Sequence, residues 1–130
     1  MRIRVLIVDD VSFVRSIIKE IVERFPPENV PVEWEVATAK DGQEASELMK
    51  NEPFNLVISD VDMPNMNGLE LLSFVKKAYP DTLVIMMSGW APPSLEKSLL
   101  NLGADRFLGK PFSSVKLWEV IGELVFPKGE

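Results

Sequence analysis

The chain has 130 residues, enough for one domain with a full core. Apolar residues make up 46% of it and the net charge is −6, which favours a folded chain and argues against direct nucleic-acid binding. Cysteine and histidine are both absent, so disulfides, thiolate or imidazole metal sites and phosphohistidine chemistry on this chain are excluded.

Met1-Arg2-Ile3-Arg4 opens without a signal-peptide pattern, and no apolar run approaches the roughly 20 residues of a membrane span. A soluble, cytoplasmic domain with no membrane partner is the expectation. Ile3 to Val8 reads as the first strand, and Asp9-Asp10-Val11 is its exit. Ser12 is the expected N-cap of a first helix. Phe13, Val14, Ile17, Ile18, Ile21, Val22 and Phe25 recur there at helical spacing, with Arg15, Lys19, Glu20 and Glu23 on the other face. Pro26-Pro27 is expected to end it, followed by a loop to Pro31. Trp34 to Ala37 reads as the second strand. Asp41-Gly42-Gln43-Glu44 has the form of a capping box for a helix that carries Ala45, Leu48 and Met49 and stops before Pro53.

Asn55 to Asp60 is an apolar run that ends in an acid and then turns through Pro64 and Asn67-Gly68. Such a run reads as a strand buried on both faces. Asn67 is the expected cap of a third helix with Leu69, Leu72, Val75 and Ala78 as core positions, ending before Pro80. Leu83 to Met87 is the fourth strand and leads into Ser88-Gly89. Pro92-Pro93 opens a fourth helix, where proline is tolerated in the first turn, and Gly103 is its C′ residue. Arg106 to Leu108 is a short fifth strand that runs into Lys110-Pro111. Ser113 caps a last helix with Val115, Leu117, Ile121 and Leu124 as apolar positions.

Five strands alternating with five helices imply an α/β fold: a doubly wound, five-stranded parallel sheet. The flavodoxin-like order 2-1-3-4-5 would set strand one beside strand three and bring Asp9, Asp10 and Asp60 together at the switch point. No repeat or linker is apparent, so residues 1–130 are expected to form a single domain without an appended output domain. Three clustered carboxylates repel one another unless a hard divalent cation or a fixed ammonium neutralises them. Oxygen-only ligands point to Mg²⁺ or Mn²⁺, and Lys110 can supply the ammonium. One carboxylate could then attack a phosphoryl group, with Lys110 and the Ser88 hydroxyl holding its oxygens. Taken singly, each Asp reads as a turn former, Lys110 as a solvated loop residue and Ser88-Gly89 as a turn. All of them at equivalent strand ends is what that plainer reading leaves unexplained.

With this set, the chain resembles the receiver domain of two-component response regulators over essentially its whole length. The matching residues are Asp9-Asp10, Asp60 in Asp60-Val61-Asp62-Met63-Pro64 with Gly68, Ser88-Gly89, and Lys110-Pro111-Phe112. The resemblance implies that Asp60 is the phosphoacceptor and that Asp9, Asp10 and the backbone carbonyl of Asp62 join it around Mg²⁺. It implies that Lys110 contacts the phosphoryl group, that Ser88 is the switch hydroxyl, and that Phe107 is the switch aromatic. Tyrosine is frequent at that last position, and phenylalanine lacks its hydroxyl. The implied partners are a sensor histidine kinase or a histidine phosphotransfer protein as donor, and a downstream protein docking on the fourth helix, fifth strand and fifth helix. Trp118 and Leu100 are expected to be exposed on that face. Trp90, two residues beyond Ser88, is expected to move with residues 88–91 and to sit over the pocket.

Two other readings stay open on sequence. Asp60-Val61-Asp62 is similar to the Asp-x-Asp of haloacid-dehalogenase-type phosphatases. Those sites want Thr or Val where this chain has Pro64, and they carry the motif on the first strand rather than the third. A flavin or dinucleotide module on the same fold would need a phosphate loop where Asp9-Asp10 would repel phosphate.

Overall fold

A computed structural model describes residues 1–26, 31–90 and 92–127. Pro27 and Ala91, each part of an expectation above, lie outside the described residues. The strands are β1 (Arg2–Val8), β2 (Glu33–Ala39), β3 (Leu56–Asp60), β4 (Leu83–Ser88) and β5 (Arg106–Gly109). They form one parallel sheet in the order β2-β1-β3-β4-β5. The helices α1 (Ser12–Glu23), α2 (Gly42–Asn51), α3 (Gly68–Ala78), α4 (Pro93–Asn101) and α5 (Ser114–Val125) connect them. This is the flavodoxin-like α/β fold, and the order reverses at β1 and β3 as expected.

All five residues of β3 are buried, because the sheet is covered on both faces. Its side chains alternate between two cores with the period of two that a strand imposes. Leu56 and Ile58 join β1's Val5 and Ile7 and the α1 and α5 residues Ile18, Val22, Leu117 and Ile121. Val57 faces the other way, into α2, α3 and α4 through Met49, Leu71, Leu72 and Leu99. Each such side chain contributes roughly 1.5–3 kcal/mol of burial free energy.

The caps at Asp41, Asn67 and Ser113 form as expected: each side chain accepts the backbone N–H three residues on. Asn67 and Glu70 complete a reciprocal capping box. At α2 the Glu44 carboxylate accepts the N–H of Lys40 rather than that of Asp41, so the reciprocal half is displaced by one residue. Gly103 is the C′ residue of α4, at φ 109°.

Several local expectations are corrected. Val11, not Ser12, is the N-cap of α1; the Asp9 carboxylate accepts the Val11 N–H at 2.9 Å, so an acid outside the helix closes its entry. Phe13 is 71% exposed and Ile17 is also exposed, since the apolar stripe of α1 is wider than the strip of sheet it covers. In α3 the core positions are Leu71, Leu72 and Val75, while Leu69 and Ala78 face outward. In α5 Val120 is buried and Val115 is exposed. β2 is longer than expected, running to Ala39 because it pairs with β1 along that strand's full length. α1 ends at Glu23, before Pro26.

Candidate functional site

The β1–β3 register sets Val8 beside Ser59, so the next residues, Asp9 and Asp60, reach the carboxyl edge side by side. Asp9 is fully buried, Asp60 is 7% exposed and Asp10 faces solvent. One ligand oxygen from each of the three can be chosen so that all lie within 4.8 Å of one another. The chain beyond Asp60 folds back sharply: the Gly68 N–H donates to the Val61 carbonyl at 2.9 Å. A Cβ at Gly68 would stand 2.3 Å from the Asp60 carbonyl oxygen, so only glycine lets α3 start so close to the end of β3.

Lys110 reaches this cluster from the far side of the sheet. Its Nζ donates to Asp9 Oδ2 at 2.8 Å and lies 3.3 Å from Asp60 Oδ1. The backbone places it there through the Lys110 N–H, which donates to the Ser88 carbonyl at 2.7 Å. Burial works against the ammonium, but the hydrogen bond to Asp9 and the charges of Asp60 and Asp9 outweigh it, and the Lys110 pKa is raised. Burial raises the Asp60 carboxyl above its ordinary value; the charge of Lys110 opposes the rise, and Asp9 and Asp62 add to it. The result is a carboxylate that is desolvated, crowded by like charge and held beside one cation. Such a group favours gaining a positive counter-charge or losing its own by forming a bond.

Ser88 is fully buried, and its hydroxyl is engaged: it donates to the Trp90 carbonyl at 2.7 Å and accepts the Trp90 N–H at 3.1 Å. The expected hydroxyl therefore stands at the edge but is turned into its own loop. Trp90 is 72% exposed, so its indole does not pack down on the pocket in this conformation. Phe107 is partly buried against the core shared by α2, α3 and α4. Asp62 is exposed on the loop after β3.

Leu100 is exposed on α4, as expected, and Leu102 just beyond it is exposed too. Trp118 is not on that face: its Nε1 donates to the Ile21 carbonyl of α1 at 2.7 Å, which ties it to the α1–α5 seam. Helical spacing predicts Arg15 on the outer face of α1. Instead it is half-buried and its Nη1 donates to the Asp9 carbonyl at 2.7 Å, bracing the turn that carries Asp9 and Asp10. The sequence signal for that is slight, a cation one turn into a helix that follows an acidic pair.

Residues 5–122 match the family model described as response regulator receiver domain. The chain is 40% identical over 118 residues to the protein-glutamate methylesterase/protein-glutamine glutaminase of Methanococcus maripaludis, covering 89% of this chain and 31% of that protein. It thus spans about a third of the length of such relatives. It is 31% identical over 122 residues to the chemotaxis protein CheY of Thermotoga maritima, covering 93% and 96% of the two chains. Among solved structures, a CheY-like receiver domain protein from Methanospirillum hungatei superposes with a TM-score of 0.83 at 34% identity, covering 95% of this chain and 93% of that one.

Proposed function

The chain belongs to the response regulator receiver domain family, and on that premise we propose that it carries a signal as an acyl phosphate on Asp60. A sensor histidine kinase or histidine phosphotransfer protein would present a phosphohistidine at the carboxyl edge. An Asp60 carboxylate oxygen attacks phosphorus, the new O–P bond forms, and the P–N bond breaks; the donor ring, protonated on its other nitrogen, leaves as neutral imidazole. The observation that carries this reading is Lys110 Nζ bridging Asp9 and Asp60. The ammonium is already where the transferred group's extra negative charge would develop, so it needs little rearrangement to stabilise it.

Asp9, Asp10 and Asp60 form an acidic triad that could hold a metal ion. Its oxygen-only donors suit a hard divalent cation, Mg²⁺ or Mn²⁺, with the Asp62 backbone carbonyl as a further ligand. When bound, such an ion would neutralise phosphoryl oxygens that Lys110 alone cannot reach. The remaining steps belong to the chain. Arg15 and the Val11 N–H hold the Asp9 turn in place. Ser88 gives up its bonds to Trp90 and donates to a phosphoryl oxygen, which frees the backbone of Trp90 to move. Phe107 then turns further into its core, and the changed surface of α4, β5 and α5 is read by a partner protein. On this reading the chain catalyses its own phosphorylation and dephosphorylation, and no separate substrate.

The test is the mass of the protein after incubation with acetyl phosphate and Mg²⁺. Wild type should gain about 80 Da, one phosphoryl group, and Asp60→Asn should gain nothing because the amide is not a nucleophile. Equal labelling of the two proteins would overturn the assignment of Asp60.

A further inference from the structure

The loop between β3 and α3 carries Asp62, and it is tied at its tip to an element outside the acidic cluster. Asp41, the N-cap of α2, is only 4% exposed and divides its carboxylate between two donors. Oδ1 accepts the Glu44 N–H at 2.8 Å, closing the helix, and Oδ2 accepts the Asn65 side-chain amide at 2.9 Å. One residue on, the Gly42 N–H donates to the Met66 carbonyl at 3.0 Å. The approach is close enough that a Cβ at Gly42 would stand 2.3 Å from that oxygen. Asn65 itself takes φ 58°, a left-handed conformation that asparagine and glycine tolerate better than other residues.

These contacts act as a pair of fasteners. The base of the loop is fixed by Gly68 on Val61, and its tip by Asn65 and Met66 on the N-terminus of α2. The stretch between, residues 62–64, is held by packing of Met63 against the core of α2 and α3 and by its two fastened ends. A cap alone does not need the second carboxylate oxygen of Asp41, because the Glu44 N–H takes only one. We propose that Asp41 and Asn65 are positioning residues that set the Asp62 carbonyl for the divalent cation from outside the acidic cluster, through the loop between β3 and α3. This rests on the metal reading given above. Outer groups that orient metal ligands change affinity without touching the ion, by about 10- to 100-fold when removed.

The experiment measures Mg²⁺ affinity by titration calorimetry, and thermal stability in EDTA, for wild type, Asp41→Ser, Asn65→Gly and the double variant. Asp41→Ser keeps a good cap, since serine is about as effective there as aspartate. Its single short hydroxyl is taken by the Glu44 N–H and nothing remains where Oδ2 accepts the Asn65 amide, so the fastener is broken. Asn65→Gly keeps the net charge and suits the positive φ but removes the donor. Each single variant should bind Mg²⁺ about tenfold more weakly while melting in EDTA within a few degrees of wild type, and the double variant should lose little more than either alone. A purely structural role would move the EDTA melt and leave affinity unchanged, and that result, or simple additivity of two independent losses, overturns the proposal. Wild type that binds no Mg²⁺ would overturn the metal reading itself, which is a different outcome from wild type binding Mg²⁺ and the variants matching it.

Discussion

Lys110→Met removes the one charge that bridges the cluster while keeping much of the side-chain stem. The ammonium lies 2.8 Å from Asp9 and 3.3 Å from Asp60. At an effective dielectric of about 20 these contacts correspond to roughly 6 and 5 kcal/mol of gross attraction. Desolvation of the three groups offsets much of that, and breaking a buried pair from one side costs about 3–5 kcal/mol net. A second bound comes from titration. Once the ammonium is gone, one carboxylate can take up a proton, at roughly 1.4 kcal/mol per pH unit above its ordinary value, or about 4 kcal/mol near neutral pH. The two routes agree, and Lys110→Met should lose about 3–4 kcal/mol in EDTA near neutral pH. The pH dependence has a definite sign. The Asp60 carboxyl is already raised in the folded protein, so its ionisation costs folding stability above the folded pKa, and that stability returns as pH falls through it. Losing Lys110 raises it further, so the gap between variant and wild type narrows on acidification, when a proton takes the place of the ammonium. Mg²⁺ should narrow it as well, by supplying the missing charge. Urea unfolding of both proteins, near neutral and mildly acidic pH, with EDTA or Mg²⁺, measures all of this. A gap in EDTA below about 1 kcal/mol, the scale of exposed pairs, would refute the view of Lys110 as the counter-charge of a desolvated cluster.

Two glycine substitutions should act in opposite directions. Gly68→Ala drives a Cβ to 2.3 Å from the Asp60 carbonyl oxygen and should cost about 1–3 kcal/mol or more in urea unfolding, as overpacking does. Gly122→Ala, on the floor of the groove between Phe25, Trp118 and Phe126, meets Phe25 at an ordinary 3.7 Å and should stabilise by about 0.5–1 kcal/mol through helix propensity. The Asp41 carboxyl is lowered by the Glu44 N–H first and the Asn65 amide second, so its contribution is full above the unfolded value and is lost as pH falls through the folded one. Asp41→Ala should therefore lose about 1–2 kcal/mol near neutral pH and progressively less in acid; a loss that does not shrink would contradict this. Mg²⁺ with beryllofluoride should change tryptophan emission in wild type and Trp118→Phe but not in Trp90→Phe, because only Trp90 has its backbone held by Ser88. An unchanged wild-type spectrum with binding established separately would break the link from Ser88 to the loop.

The sheet was legible because its strands are covered on both faces. β3 reads as an unbroken apolar run that stops at an acid, and in a parallel sheet such stops line up on one edge. That alone brings Asp9, Asp60 and Lys110 together, and the distances bear it out. What the pattern does not carry is direction at short range. A stripe of apolar residues tells which side of α1 faces inward but not how wide a strip the sheet covers, so Phe13 and Ile17 read as core and stand in solvent. A serine at a strand end predicts a hydroxyl at the edge but not which way it turns, and Ser88 turns to Trp90. The role of Asn65 cannot be read from its own neighbourhood, because it depends on a partner 24 positions away.

One consequence of the alternating fold concerns charge carried by the backbone. Because every helix follows a parallel strand, all five helices begin at the edge that bears the acidic cluster. Each helix start presents the equivalent of about half a positive elementary charge. α2, α3 and α4 place Glu44, Glu70 and Glu96 in their first turns, so each spends that partial charge on its own acid. α1 and α5 carry no acid in their first turns. These are the two helices that leave the Asp9-Asp10 turn and the turn after Lys110, so both starts lie at the acidic edge, that of α1 already facing the Asp9 carboxylate through the Val11 N–H. Phosphoryl transfer would turn the single negative charge of Asp60 into about two, and the added charge would arrive in a field set partly by main-chain amides. No single surface substitution can remove that field, so the tolerance of this edge for added anionic charge is a property of the chain's path as much as of its side chains.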